Sequence, residues 1–170
     1  MNKLEKLKQE LEELKAKSQE LQGKIDELQA EQISEQLKRW RAEENENYYY
    51  IESDYECVTW NRDLRDNTDN YKYNIGNYFQ TEEEGQKMLE KLKIYTQLKD
   101  LALRLNKGKK IDWNGEQEKY YIYYDYKDNK LESAYNFNFK EIGQIYCLDE
   151  NILEVAKKEI GEENLRKLFE

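Results

Sequence analysis

Histidine is missing from all 170 residues, and this removes most of the chemistry a small protein can do. Without imidazole there is no Ser-His-Asp or Cys-His couple and no His ligand for a metal. Cys57 and Cys147 lie far apart and form no CxxC cluster, so they read as reduced, buried structural thiols. Carboxylates remain, and carboxylates alone can support glycoside hydrolysis or two-metal phosphoryl chemistry. The densest group is Asp63, Asp66 and Asp69, at a spacing of three. It lacks the Asp-x-Asp-x-Asp-Gly…Glu order of a calcium loop, so it reads as a solvated acidic loop without metal. Gly76 and Gly143 belong to neither a GxGxxG nor a Walker pattern, which leaves no phosphate cradle. The expectation is a non-catalytic chain with no cofactor.

The charge balance points to partners instead. The net charge is −9, yet residues 1–41 hold nine basic and nine acidic side chains. Residues 43–69 hold nine acids (Glu43, Glu44, Glu46, Glu52, Asp54, Glu56, Asp63, Asp66, Asp69) against Arg62 and Arg65, a local −7. Such a segment repels phosphate backbones, so direct binding to nucleic acid is not expected. A basic protein surface is the expected partner, met by Glu43, Glu44, Glu46, Asp54, Glu56, Asp63, Asp66 and Asp69. No apolar run approaches the ~18 residues of a membrane span and no signal peptide is visible, so a cytoplasmic location is expected. Aromatic residues make up 13% of the chain and Tyr alone accounts for 15 positions; an AT-rich codon bias and core packing explain most of them.

The elements that must present these groups begin with a Leu-rich helix. Leu4, Leu7, Leu11, Leu14, Leu21, Ile25 and Leu28 recur at spacings of three and four, with position a at 4, 11, 18 and 25 and position d at 7, 14, 21 and 28. Only Ser18 interrupts the seam. Four heptads of this kind predict a coiled coil, and a seam this narrow favours a second copy as its partner. After Leu28 the phase shifts to Ile33, Leu37 and Trp40, a stripe expected to pack on the following domain. A helix over residues 3–41 would span roughly 58 Å.

Beyond it, Tyr49-Tyr50-Ile51 recurs as Tyr120-Tyr121-Ile122 at an offset of 71, and Ile75-Gly76-Asn77-Tyr78-Phe79 recurs as Ile142-Gly143-Gln144-Ile145-Tyr146 at an offset of 67. An acidic helix start follows each. The pattern predicts a duplicated β-β-α unit, with repeat 1 at about 46–107 and repeat 2 at about 117–170. Tyr48–Ser53 with Cys57–Trp60, and Lys119–Tyr126 with Leu131–Phe139, read as hairpins, the second turning on Asp128-Asn129 in type I′ geometry. Tyr135, Phe137 and Phe139 alternate with Asn136 and Asn138, predicting a buried aromatic face. Thr81 and Glu84 form a capping box for a helix over 82–106, with Met88, Leu92, Tyr95, Leu98, Ala102 and Leu105 inward. A further helix is expected at about 150–160, stopping at Gly161, with a terminal turn at 162–169. The fold class is therefore α+β: a long N-terminal coiled-coil helix (1–41), then a duplicated β-β-α domain (42–170) with a mainly antiparallel sheet.

Tyr48–Ile51 with Trp60, Gly76–Glu84, Tyr121–Asp125 and Phe139–Leu165, in this order, resemble small, mostly uncharacterised proteins of bacteriophages and prophages of low-GC Gram-positive bacteria. Members of that group often carry Pro after the first Trp; here Arg41 and Ala42 follow Trp40, so the linker is expected to continue as helix. The resemblance implies no active site. It implies a phage setting in the bacterial host cytosol, where small acidic proteins block host defence or regulatory machinery. Two readings follow. One is a self-associating inhibitor of a host defence or nucleic-acid-handling protein, acting through its acidic segment. The other is a homo-oligomeric scaffold or sponge that sequesters a nucleotide-type small molecule between Tyr- and Trp-lined surfaces.

Overall fold

Leu, Lys, Glu and Gln, all strong helix formers, fill the start of the chain without a Pro and form α1, Lys3–Gln36. The computed structural model describes residues 2–36 and 38–170, with the side chains of Glu31 and of residues 33–36 set aside. At 1.5 Å per residue α1 is about 51 Å long. It is shorter than expected, since residues 38–41 are not helical. Of the second stripe, Leu37 and the Ile33 side chain lie outside the described residues. The chain divides into two units, residues 1–41 and 42–170. No described helix is long and apolar enough to cross a membrane.

The second unit is α+β, built from two small antiparallel sheets of two strands each rather than one continuous sheet. β1 (Asn47–Glu52) pairs with β2 (Cys57–Arg62), with Tyr49 opposite Trp60 and Ile51 opposite Val58. β3 (Lys119–Asp125) pairs with β4 (Lys130–Asn136), with Tyr120 opposite Tyr135 and Tyr124 opposite Leu131. The β3–β4 turn is not a two-residue type I′ turn. Pairing ends at Asp125 and Lys130, the Asp125 side chain accepts from the Lys127 and Asp128 amides at 2.9 and 3.2 Å, and within the Asp128-Asn129 pair only Asn129 is left-handed, at φ 54°. An Asp side chain that engages its own turn amides favours this longer loop.

Each hairpin gains one bridge to a later segment: Tyr49 pairs with Phe79, and Tyr120 with Cys147. Between β2 and the first bridge the chain forms a helix that the spacing of its polar residues did not announce, α2 (Asn67–Asn74), with Asp66 as N-cap accepting from the Asp69 amide. After the first bridge comes α3 (Glu82–Leu105), entered through the expected Thr81–Glu84 capping box. α4 (Ile152–Glu159) and α5 (Glu162–Lys167) close the chain, separated by Gly161 at φ 96°.

α3 buries Gly85, Leu89, Ile94, Leu98, Leu101 and Ala102, while Met88, Leu92 and Tyr95 are exposed. The inner stripe is thus rotated from the expected one and shares only Leu98 and Ala102 with it, together with a partly buried Leu105. This helix is apolar around much of its circumference, so periodicity does not fix its rotation. Gly85 helps to do so: a Cβ there would sit 2.8 Å from Val58 Cγ1 and 3.3 Å from Phe79, so the helix presses its bare backbone onto the first hairpin. Farther along, Ile94, Leu98, Leu101 and Ala102 join Ile122, Leu131, Cys147, Ile152, Ala156 and Leu165 in the main core.

The aromatic face expected at Tyr135, Phe137 and Phe139 is not buried. Tyr135, Phe137 and Phe139 are exposed, whereas Asn136 is only 5% exposed. The hairpin is covered on both faces. The main core takes Ile122 and Leu131, and Tyr146 covers the other face, meeting Asn136 and the Tyr121 ring. Cys147 is buried as expected, but Cys57 is exposed in β2. Gly85→Ala is expected to lower stability by about 1 kcal/mol, the gain in helix propensity being outweighed by overpacking against Val58. Urea unfolding measures this, and a raised midpoint would show that Val58 yields without cost.

Candidate functional site

Three features of the surface and its supports bear on function. The first is the seam of α1. Leu4, Leu7, Leu11, Leu14, Leu21, Ile25 and Leu28 are each between 47% and 65% exposed. Local pairs such as Glu12–Lys15 and Glu20–Lys24 support the polar faces, each worth only a few tenths of a kcal/mol. They do nothing for the apolar seam.

The second feature is the acidic segment, which the fold splits. Glu43, Glu44, Glu46, Asp54, Glu56 and Asp66 are exposed, but Asp63 and Asp69 are 0% and 1% exposed. They are not part of a solvated loop. The Tyr48 hydroxyl donates to Asp69 Oδ1 at 2.7 Å, and the Leu64 amide donates to Asp69 Oδ2 at 2.7 Å. The Tyr78 hydroxyl donates to Asp63 Oδ2 at 2.8 Å and accepts from the Ala42 amide at 3.2 Å. The Arg65 amide donates to Asp63 Oδ1 at 2.8 Å, its guanidinium lies 3.3 Å from Oδ2, and the same guanidinium donates to the Ala42 carbonyl. The Tyr48 and Tyr78 rings stack at 4.0 Å between centroids, 9° apart. Asp66 is taken up as the α2 cap. Two of the carboxylates assigned to a partner surface therefore serve the interior. Among the described residues, no group of three or more Asp, Glu or Cys side chains converges in a way that could hold a metal ion.

The third feature is a cleft of about 650 Å³ between the C-terminal half of α3, residues 108–113 and residues 140–146. Lys99, Lys109, Lys110 and Lys140 line it together with Trp113 and Tyr146, and no Asp or Glu is among its walls. The Trp113 ring stands edge-on to Tyr146, with centroids 5.0 Å apart at 86°. Lys140 Nζ lies 6.0 Å from the Trp113 centroid and Lys119 Nζ 5.6 Å. Lys119 is fully buried; its ammonium donates to the carbonyls of Gln117 at 2.7 Å, Gly115 at 3.3 Å and Phe137. That staple ties the loop carrying Trp113 to the end of β4. The run Asn106-Lys107-Gly108-Lys109-Lys110 is a basic signal visible in the sequence. Lys99 and Lys140 come from distant segments and give none.

Several of the perturbed groups are tyrosines held neutral: burial first, then the hydrogen bond to Asp69, pushes Tyr48 well above the ordinary phenol value near 10, and the Glu118 carboxylate pushes Tyr120 up to about 12. A raised folded-state pKa stabilises the fold fully below the unfolded value and loses that contribution as pH rises above it. Stability is thus expected to fall from about pH 10 upward. Tyr48→Phe, which leaves Asp69 short of a donor, is expected to cost about 2 kcal/mol at neutral pH and to flatten the alkaline decline. Urea unfolding at pH 7, 9 and 10.5 reads both effects. Compared with known families, characterised proteins and solved structures, the chain matches none.

Proposed function

We propose that this chain is a non-catalytic interaction protein that assembles with copies of itself through α1 and, in a phage setting, blocks a host defence or nucleic-acid-handling protein in the host cytosol. The observation that carries the assembly is the run of seven exposed heptad positions, Leu4 to Leu28. A seam of this width is too narrow to be the core face of a globular helix, and a second α1 would cover it as a coiled coil. Self-association multiplies any partner surface, raising avidity without new contacts.

The partner surface in this reading is the exposed part of the acidic segment: Glu43, Glu44, Glu46, Asp54, Glu56 and Asp66. Carboxylates of this kind steer a basic partner and set its on-rate more than its final affinity. Asp63 and Asp69 hold the segment in place rather than meeting the partner.

The two hairpins are read as copies of one unit. Their bridges support this, since Tyr49–Phe79 and Tyr120–Cys147 correspond at offsets of 71 and 68. The glycines that precede them, Gly76 and Gly143, both have φ 83°. Asn77 bonds the Ile51 backbone, its carbonyl accepting from the amide at 2.7 Å and its amide donating to the carbonyl at 2.9 Å, while Gln144 donates to the Ile122 carbonyl at 2.9 Å. In the second copy the bridge lies one residue farther on, at Cys147 in place of Tyr146.

A second reading, in which the assembled chains sequester a nucleotide-type small molecule, is favoured by the lysine- and aromatic-lined cleft.

Sedimentation equilibrium is expected to show a dimer or larger species at micromolar concentration, and Leu14→Lys with Leu21→Lys is expected to convert it to monomer; a monomeric parent chain removes the assembly. For the partner surface, capture from host lysate is followed by reversal of Glu43, Glu44, Glu46 and Glu56 to Lys. About a tenfold loss of affinity, steepest at low salt, is expected. Undiminished capture sinks the acidic-surface reading.

A further inference from the structure

Four lysines line one cleft in a protein of net charge −9, and among the described residues none of the four is in an ion pair. The carboxylates next to them in sequence, Asp100, Asp112 and Glu141, are not among the cleft walls. Asp112 instead accepts from the Asn114 amide at 2.9 Å within its own loop. Like charges gathered on concave, partly apolar walls concentrate an anionic ligand's field and gain when an anion enters. Phosphate alone, however, does not explain the aromatic walls. Trp113 is half-buried, fixed edge-on by Tyr146, and carried on a loop that the buried Lys119 staples to three carbonyls. A ring held that firmly loses little freedom when a planar group stacks on it. Tyr95, exposed on α3, adds a third aromatic side chain to Trp113 and Tyr146, and a volume of about 650 Å³ is that of a small-molecule site.

We infer that this cleft binds a nucleotide, with its phosphate on Lys109, Lys110 and Lys140 and its base against Trp113. This rests on the small-molecule reading and gives its nucleotide-type ligand a site, with the residues that hold each part. A nucleoside offers the cleft no negative charge, and inorganic phosphate leaves Trp113 unused. The ligand is therefore one that joins the two.

Isothermal titration of the full chain uses AMP, GMP, ADP and GDP as probes, with adenosine and inorganic phosphate as part-ligands. At least one nucleotide is expected to bind about tenfold or more tightly than either part-ligand, with affinity falling as salt rises. Trp113→Ala and the pair Lys109→Glu, Lys110→Glu are each expected to weaken binding about tenfold or more. Lys87→Glu, outside the cleft, is expected to leave it unchanged. Unaltered melting temperatures show that these variants fold, and Trp113→Phe, which keeps a stacking surface, is expected to restore most of the affinity. Phosphate binding as tightly as every nucleotide overturns the inference, because the cleft is then an anion site only. Nucleotide binding that survives both cleft variants also overturns it, while the sequestering reading stands with its site elsewhere. No binding of any nucleotide defeats both.

Discussion

A two-stranded antiparallel hairpin is marginally stable at best in water, and this domain contains two that share no strand. Each must therefore bury a face against something else: α3 packs on the first, and α4 packs on the second. The N-terminal half of α3 lies on the first hairpin, where Gly85 brings backbone against Val58. Its C-terminal half supplies Ile94, Leu98, Leu101 and Ala102 to the core that holds Ile122 and Leu131 of the second. Where α3 ends, the buried Asn106 side chain accepts from the Leu148 amide at 2.8 Å, fixing the segment that carries the Tyr120–Cys147 bridge. Capping and rotation of α3 thus set the first hairpin's position, and its C-terminal half joins α4 in the core that covers the second.

Around the first hairpin the same demand is met by polar means. Among the described residues the second cluster contains only Ala42, Tyr48 and Tyr78 as buried residues, too little apolar area to fix a hairpin and a short helix together. The two phenols compensate by donating to two buried carboxylates, which in turn accept from backbone amides and Arg65. Hydrogen bonds to a buried charge are individually stronger than neutral ones, and removing one partner leaves the other uncompensated. α2 exists because Asp66 caps it and Asp69 anchors it.

These arrangements separate the molecule's charge into distinct roles. Exposed carboxylates from Glu43 to Asp66 give an acidic surface, two carboxylates are internal, and four lysines from α3 and two loops line one cleft. A net charge alone describes none of this. In the proposed reading the first meets a basic macromolecule and the last a small anion, and copies assembled on α1 would raise the local concentration of both.

Several features follow from local sequence alone. The heptads of α1, the Thr81–Glu84 cap, the two hairpins and the recurring Gly with its following amide side chain depend on residues a few positions apart, so pattern and propensity suffice to read them. What the sequence leaves open are choices between equivalent faces. Alternation in β4 marks two faces but not which is buried, and Tyr146 from a later segment buries Asn136 instead of Tyr135 and Phe137. Apolar residues surround α3, and close approach at Gly85 selects its rotation. Asp63 and Asp69 look like any solvated carboxylates until Tyr48 and Tyr78 reach them from 21 and 15 residues away. Lys99, Lys109, Lys110 and Lys140 become one site only when α3 and two loops meet. Short-range physics therefore determined most of the elements and the apolar seam of α1. Burial, which depends on which distant surfaces meet, decided where the charge went and which side chains line the cleft.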